Sequence, residues 1–353
     1  MDEFLIYGAN GYTGRLITRL AAEKGMHPVL AGRNRRALEQ LAAEYGLQSI
    51  IFGLDRPSEI DKALSRFSLI LNCAGPFSRT YTPVVESCLR TSTHYLDITG
   101  EINVFESIAS HDGAAADRNI MLLPGVGFDV VPSDCLALHL KQRLPSATKL
   151  TLAILGVGRI SHGTATTLVE KLDGGGAIRR NGKLTGVPAA WKTREFDFGV
   201  RSATAVTIPW GDVATAFYST GIESIEVYAA IPAHLRTSMR LSRHFGWLLS
   251  SAPIQRLLKF GVDSQPAGPS DAERANGSSI IWGEVENVDG EKTSARLYGP
   301  EGYALTALTA IEIVRRVLSG DFKPGFQTPA LAYGPNLILA IPGTHFEDLP
   351  PRI

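Results

Sequence analysis

An alternation constrains this chain more than any other feature. Through residue 130, short apolar runs and amphipathic stretches take turns, and the first junction between them is YGANGYTG, residues 7–14. FLI precedes it, and RLITRLAAEKG follows with Leu16, Ile17, Leu20 and Ala21 at helical spacing. The order strand, glycine-rich turn, helix is predicted. PVLAG, RRALEQLAAEYG, SIIFG, PSEIDKALSRF, LILNCAG, TPVVESCLR, YLDIT, a helix over 101–118 and IMLLPG continue the rhythm. Nearly all-apolar strands separated by helices predict an α/β unit on a doubly wound parallel sheet of the Rossmann type.

The glycines of the first junction point to a ligand. Gly8, Gly11 and Gly14 read G-x-x-G-x-x-G. One glycine permits the sharp turn, one lets a pyrophosphate approach the backbone, and one lets helix and strand pack closely. The helix start adds N–H groups and a partial positive charge. Gly8, Ala9, Asn10, Gly11, Tyr12, Thr13 and Gly14 are therefore candidate nucleotide contacts, with a ligand-free tight turn as the alternative. An NAD site places an acid about twenty residues past the glycines, at the end of the second strand. That place reads AGRNRR, without an acid. Arg33, with Arg35 or Arg36 nearby and Asn34 between, suits a 2′-phosphate, so NADP is the expected cofactor. Asp55, ending the third strand, is expected either to accept from the adenine amine or to cap the PSEID helix.

Ligands of open parallel sheets lie beyond the carboxyl ends of the strands. Those ends read Ala74-Gly75-Pro76-Phe77, Asp97-Ile98-Thr99-Gly100-Glu101 and Pro124-Gly125-Val126-Gly127-Phe128-Asp129. Ala74, Gly75, Pro76, Thr99 and Gly100 join the cofactor set, because Gly75 and Gly100 leave room for a flat ring and Phe77 offers an apolar wall. Tyr81, Asp97 and Asp129 are the candidate catalytic groups for giving or orienting a proton. Helix capping at TGE is the alternative for Asp97 and Glu101. His94 is expected at the start of its strand, away from this edge, and His162 is a further candidate from the second domain.

From Val131 the pattern changes. A helix, PSDCLALHLKQRL, leads to strands KLTLAILGV, GKLTGV, SATAVTIP and SIEVYAAIP, with a hairpin turn at Asn181-Gly182. Residues 263–277 read as a loop, and SSIIWGEVENVDGEKTSARLYG as a hairpin about Asp289-Gly290. The helix GYALTALTAIEIVRRVLSG is expected to return to the first domain, by analogy with dehydrogenases. The expected domains are 1–130 plus about 301–353 for NADP, and 131–300, an α+β domain on a mixed or antiparallel sheet, for substrate or dimerisation.

Composition narrows the function. Basic and acidic residues number 35 each, so nothing favours nucleic acid. Cys73, Cys88 and Cys135 form no C-x-x-C, which disfavours a disulfide framework, and no metal site is expected. The start MDEFLIYG is not a signal peptide, and no apolar run reaches the ~18 residues of a spanning helix, so the expected location is cytoplasmic. No tyrosine has lysine four places later, and G-x-S-x-G, H-E-x-x-H and a Walker lysine are absent from the sequence. Residues 239–261 mix Trp247, Leu248 and Phe260 with Arg240, Arg243 and Lys259. A peripheral membrane contact, a greasy entrance and a homodimer contact all fit that stretch.

Together, YGANGYTG, LAGRN, LNCAGPF, CLRTSTHYLDITGE and PGVGFDVVPSD resemble the saccharopine dehydrogenase-like oxidoreductases, particularly the branch containing trans-acting enoyl reductases. YGPEGYALTA and TPALAYG extend the likeness to the end of the chain. Thr82 and Ser92 stand where the family tends to have glycine. The resemblance implies an NADP-dependent oxidoreductase reducing a small-molecule substrate of apolar enoyl or acyl type. An amino-acid dehydrogenase of saccharopine type and a non-catalytic NADP-sensing protein remain alternatives. Arg159, Arg179, Arg180, Arg194 and Arg201 would serve a charged substrate, though Arg179 and Arg180 read as solvated beside their turn. Trp210, Phe217, Trp247 and Phe260 would form an apolar wall.

Overall fold

The structure is a computed structural model and describes residues 4–156, 175–237, 239–240 and 268–350. Arg159, His162, Trp247 and Phe260 lie outside these residues, as do the 239–261 stretch beyond Arg240 and the first part of the 263–277 segment. The chain divides into two compact units, residues 1–131 with 303–332 and residues 132–302 with 333–353.

The first unit is built on a parallel seven-stranded sheet. Its strands are β1 (Phe4–Tyr7), β2 (Val29–Gly32), β3 (Ser49–Ile51), β4 (Leu69–Asn72), β5 (His94–Asp97), β6 (Met121–Leu123) and the late β15 (Gly325–Phe326). They lie in the order β15-β6-β5-β4-β1-β2-β3, so the order reverses at β1. β1, β2 and β4 are buried throughout, as strands covered on both faces must be. Between them run α1 (Tyr12–Glu23), α2 (Arg35–Tyr45), α3 (Pro57–Leu64), α4 (Phe77–Thr91), α5 (Ile102–Ala109) and α6 (Asp112–Ala116). Two boundaries differ from expectation. α4 begins at Phe77 rather than Thr82, carrying Pro83 inside it. The helix expected over 101–118 is interrupted at Ser110-His111.

Helix α7 (Val131–Arg143) opens the second unit, whose sheet is mixed and nine-stranded. Its main path runs β10 (Thr193–Asp197), β11 (Ser202–Thr207), β12 (Ser224–Ala230), β7 (Lys149–Leu155), β13 (Ser278–Glu286), β14 (Lys292–Pro300), β16 (His345–Leu349). β7 and β12 pair in parallel and β7 and β13 antiparallel. β8 (Gly176–Arg180) and β9 (Lys183–Val187) form a hairpin beside β12. Its turn residues Asn181 and Gly182 have φ of 49° and 76°, the left-handed pair that such a tight turn requires. Trp282, Phe196, Phe198 and Tyr228 pack with Leu155 and Ile280 into one buried cluster on this sheet.

Three features of this unit depart from the sequence reading. Helix α8 (Asp212–Thr220) stands between two expected strands, and α9 (Asp271–Asn276), fixed by a Ser270–Glu273 capping box, occupies part of the expected loop. Arg179, expected to be solvated, is only 4% exposed. Its guanidinium donates to Val213 O at 2.9 Å and Gly182 O at 2.8 Å and lies 4.3 Å over the ring of Phe217. The hairpin thus uses Arg179 as a fastener, its guanidinium lying over the half-buried ring of Phe217.

The end of the chain serves both units. Helix α10 (Gly302–Leu318) runs into the first unit, where Thr306 Oγ1 accepts from Phe128 N at 3.0 Å and Thr309 Oγ1 donates to Val126 O at 2.8 Å. Residues 333–353 do not stay there, contrary to expectation. β16 pairs with β14 across Ser294–Leu349 and Tyr298–His345 and so extends the mixed sheet.

Candidate cofactor and active site

At the switch point beside β1, the first junction folds as its glycines require. Gly8 has φ of +80°, and a Cβ there would stand 2.8 Å from Ala74 N. A Cβ on Gly14 would stand 2.5 Å from Gly8 O. Side chains at either position would force β1, β4 and α1 apart. Gly11 differs: it is the exposed N-cap of α1, with no side chain capping the helix and no acid in its first turn. The partial charge of the helix start is therefore left for an anion. Ala9 is buried, whereas Asn10, Tyr12 and Thr13 are half-buried around the turn. Tyr303, which the sequence reading passed over, meets Tyr12 edge-on with ring centroids 5.0 Å apart.

On one side of β1 the ends of β2 and β3 carry exposed charge. Arg33, Asn34, Arg35 and Arg36 all face solvent. Arg35 is held by Glu39 at 3.1 Å, one helical turn on. Asn34 caps α2 by accepting from Ala37 N at 3.1 Å, which leaves its amide N–H groups to donate outward. Arg33 forms no ion pair among the described residues. The Tyr7 hydroxyl, raised above its usual range by burial, is pulled down by Arg33 and pushed up by Asp55, so both groups lie close to the end of β1. Asp55 does not cap α3, whose N-cap is Arg56 without a side-chain hydrogen bond.

On the other side, the ends of β4, β5 and β6 are joined by buried polar groups. Asp97, fully buried, accepts at Oδ1 from Thr99 N and Gly125 N, each at 2.9 Å, and at Oδ2 from the Tyr95 hydroxyl at 2.7 Å. Burial pushes its pKa up to about 6 although these three donors pull it down. Thr99 is equally buried and its hydroxyl accepts from Glu101 N at 3.0 Å. Glu101 Oε1 in turn accepts from Phe77 N at 2.9 Å, so the glutamate caps the neighbouring helix α4 rather than its own. Asn72 accepts from Ala74 N at 3.0 Å. Asn72, Tyr95 and this role of Glu101 were missed; the signal was an asparagine ending an otherwise apolar run, LILN.

Of the three expected catalytic groups, one faces the edge without other duties. Asp129 is half-buried and has no hydrogen-bond partner among the described residues; its Oδ2 would lie 2.6 Å from a Cβ on Gly100. Burial alone pushes its pKa up to about 6. Asp97 has no surface from which to reach a substrate. Tyr81 turns its hydroxyl to Ser107 Oγ on α5 at 2.7 Å. Gly75 is exposed, with the ring of Phe77 3.7 Å from where its Cβ would be, and Pro76 and Ala74 are half-buried beside it. His94 begins β5, as expected, where its Nδ1 accepts from Met121 N at 2.9 Å and burial lowers its pKa to about 4.

Comparisons with known proteins agree with this geometry. Residues 4–123 match the model of the saccharopine dehydrogenase NADP binding domain, and NADP is the cofactor. A trans-acting enoyl reductase of Mycobacterium ulcerans is 31% identical over 408 residues, covering 97% of this chain and 96% of the relative. A saccharopine dehydrogenase-like oxidoreductase of Rattus norvegicus is 27% identical over 40% of this chain and 38% of its own length. The fold is shared with the apo saccharopine dehydrogenase (L-Glu forming) of Saccharomyces cerevisiae, at 12% identity and a TM-score of 0.66, covering 99% of this chain and 100% of that one. No helix among the described residues is long and apolar enough to cross a membrane. A glycine turn packed without room for side chains, basic residues where an acid would select NAD, and likeness along the whole chain lead to one assignment: the protein belongs to the saccharopine dehydrogenase-like oxidoreductases, in the branch of the trans-acting enoyl reductases.

Proposed function

We propose that the protein is an NADPH-dependent reductase of an apolar enoyl or acyl-type substrate. The observation that carries this reading is the end-to-end similarity to a trans-acting enoyl reductase, which spans both units rather than the cofactor domain alone. In this reading residues 8–14 hold the pyrophosphate, and Arg33, with Arg36 and the Asn34 amide, holds the 2′-phosphate. Asp55 accepts from the adenine amine. The turns at Ala74-Gly75-Pro76 and Thr99-Gly100 line the nicotinamide end, and residues 132–302 take the substrate.

Bound NADPH supplies a hydride, and reduction of a carbon–carbon double bond then needs one proton. Asp129 is the group suited to deliver it. A carboxyl held up at about 6 keeps part of its population protonated near neutrality, where an ordinary aspartate would not. Its half-buried place over Gly100 keeps it at the sheet edge. NADPH oxidation by the purified protein against enoyl thioesters, imines and saccharopine tests the reading. Turnover with an enoyl thioester is expected; oxidation with amino-acid substrates alone, or with no member of the panel, overturns it.

A further inference from the structure

Polar side chains at the core of a parallel sheet are costly unless every donor and acceptor is matched. This sheet places four together on its carboxyl edge: Asn72, Tyr95, Asp97 and Thr99, all fully buried. They form a continuous chain. Asn72 Nδ2 donates to the Tyr95 hydroxyl at 3.4 Å, and that hydroxyl donates to Asp97 at 2.7 Å. At the near end, Asn72 also accepts from Ala74 N at 3.0 Å and donates to Thr80 Oγ1 at 3.2 Å, while Thr80 donates to Ala74 O at 2.7 Å. At the far end Asp97 holds Thr99 N and Gly125 N, and its own carbonyl accepts from Val126 N at 2.8 Å. Glu101 closes the loop by accepting from Phe77 N at 2.9 Å.

We infer that Asp97 is a positioning residue: through Tyr95 and Asn72 it locks the three turns at 74–77, 99–101 and 124–127 into one rigid lining for the nicotinamide half of the cofactor. The inference rests on the proposed placement of that half beyond β4, β5 and β6. A single hydrogen bond could hold one turn by itself. Here one carboxylate ties two turns together and reaches the third through two relays, so the turns move as a unit or not at all. None of these groups is on the adenosine side of β1. The lock therefore separates the two halves of the cofactor energetically, stiffening one and leaving the other untouched.

Calorimetry on the full chain tests this with two ligands, NADPH and 2′,5′-ADP, which keeps the adenosine 2′-phosphate and lacks the nicotinamide. Tyr95→Phe keeps the buried ring and removes the relay; Asp97→Asn keeps one acceptor and removes the charge. Each is expected to weaken NADPH about tenfold, the worth of one buried hydrogen bond to a charged group, with 2′,5′-ADP unchanged. The fluorescence of bound NADPH should shift in the same variants. Equal weakening of both ligands would mean a general loosening of the fold, and no weakening of either would mean the turns hold themselves; both overturn the inference. Wild-type protein that binds NADPH no tighter than 2′,5′-ADP would instead remove the placement on which the inference rests, and the inference with it. Should Asp97→Asn melt too low to assay, Tyr95→Phe alone decides.

Discussion

The two sides of β1 use polar atoms in opposite ways. On the β2–β3 side, Arg33 to Arg36 stand in solvent. On the β4–β6 side, Asn72, Tyr95, Asp97 and Thr99 are sealed from it and spend their hydrogen bonds on one another, on Thr80 and on the backbone. A phosphate is recognised by charges that can reach it, so those charges must be outside. A flat ring presents little to grip, so its site must be stiff, and stiffness comes from polar groups satisfied inside. Under the proposed placement of the cofactor, charge confers selectivity on one side and rigidity confers placement on the other.

The sharpest way to break this division is Gly8→Ala, because Gly8 joins the two sides. With φ of +80° and Ala74 backbone atoms 2.8–2.9 Å from the added methyl, the substitution strains β1 against β4. It should cost about 2–5 kcal/mol from left-handed strain and overpacking together. Thermal melts should show that loss, and NADPH and 2′,5′-ADP should both lose binding in calorimetry. Retention of either ligand at wild-type affinity would show that the turn is not shared.

Next in size, Arg33→Ala should weaken NADPH roughly ten- to hundredfold and leave NADH unaffected, since one charged fork to the 2′-phosphate is lost. Arg35→Ala is its control. That guanidinium is already paired with Glu39, and such a helical pair is worth only about 0.2–0.5 kcal/mol. Loss of NADPH selectivity in the control rather than in Arg33→Ala would relocate the phosphate site.

The smallest effect concerns Asp129, the carboxyl that the buried side leaves without a partner. Its pKa is raised from 3.8 to about 6 by burial, so the folded chain binds that proton more readily than the unfolded one. Burial of Asp129 therefore weakens the fold progressively as pH rises from about 4 through about 6. Asp129→Asn should stabilise the protein by about 1–2 kcal/mol above that window, discounting for its contact with water, and by nothing below it. Melting curves at several pH values check the sign; a variant less stable at neutral pH would mean the carboxylate has a partner.

How much of this was legible follows from the kind of signal each part leaves. The βα rhythm, the glycine turn and AGRN are local patterns, and the parallel sheet and NADP follow from them. Boundaries were less so: TPVVESCLR reads as the helix from Thr82, yet α4 begins at Phe77 and carries Pro83 inside. Arg179 reads as solvated because it adjoins a turn, and only the packing of α8 shows Phe217 and Val213 O waiting for it. The hydrogen-bond chain at Asp97 could not be read at all, since Asn72, Tyr95 and Gly125 come from three strands brought together by the sheet. Asp97 was singled out for its chemistry, while its hydrogen bonds support the positioning role inferred above.

The path of the chain has a consequence for the order in which the protein is made. It leaves the first unit at residue 131, re-enters at 303 and leaves again after 332. The loop bearing Asp129 is held from behind by Thr306 and Thr309 of α10, and β15 completes the sheet only by joining β6. During synthesis the glycine turn and the first six strands emerge long before these fasteners do. A nascent chain can therefore form the glycine turn early but cannot fix the loop of Asp129 until α10 has been made. In the proposed function, the group that delivers the proton is therefore set in place after the turn that holds the cofactor.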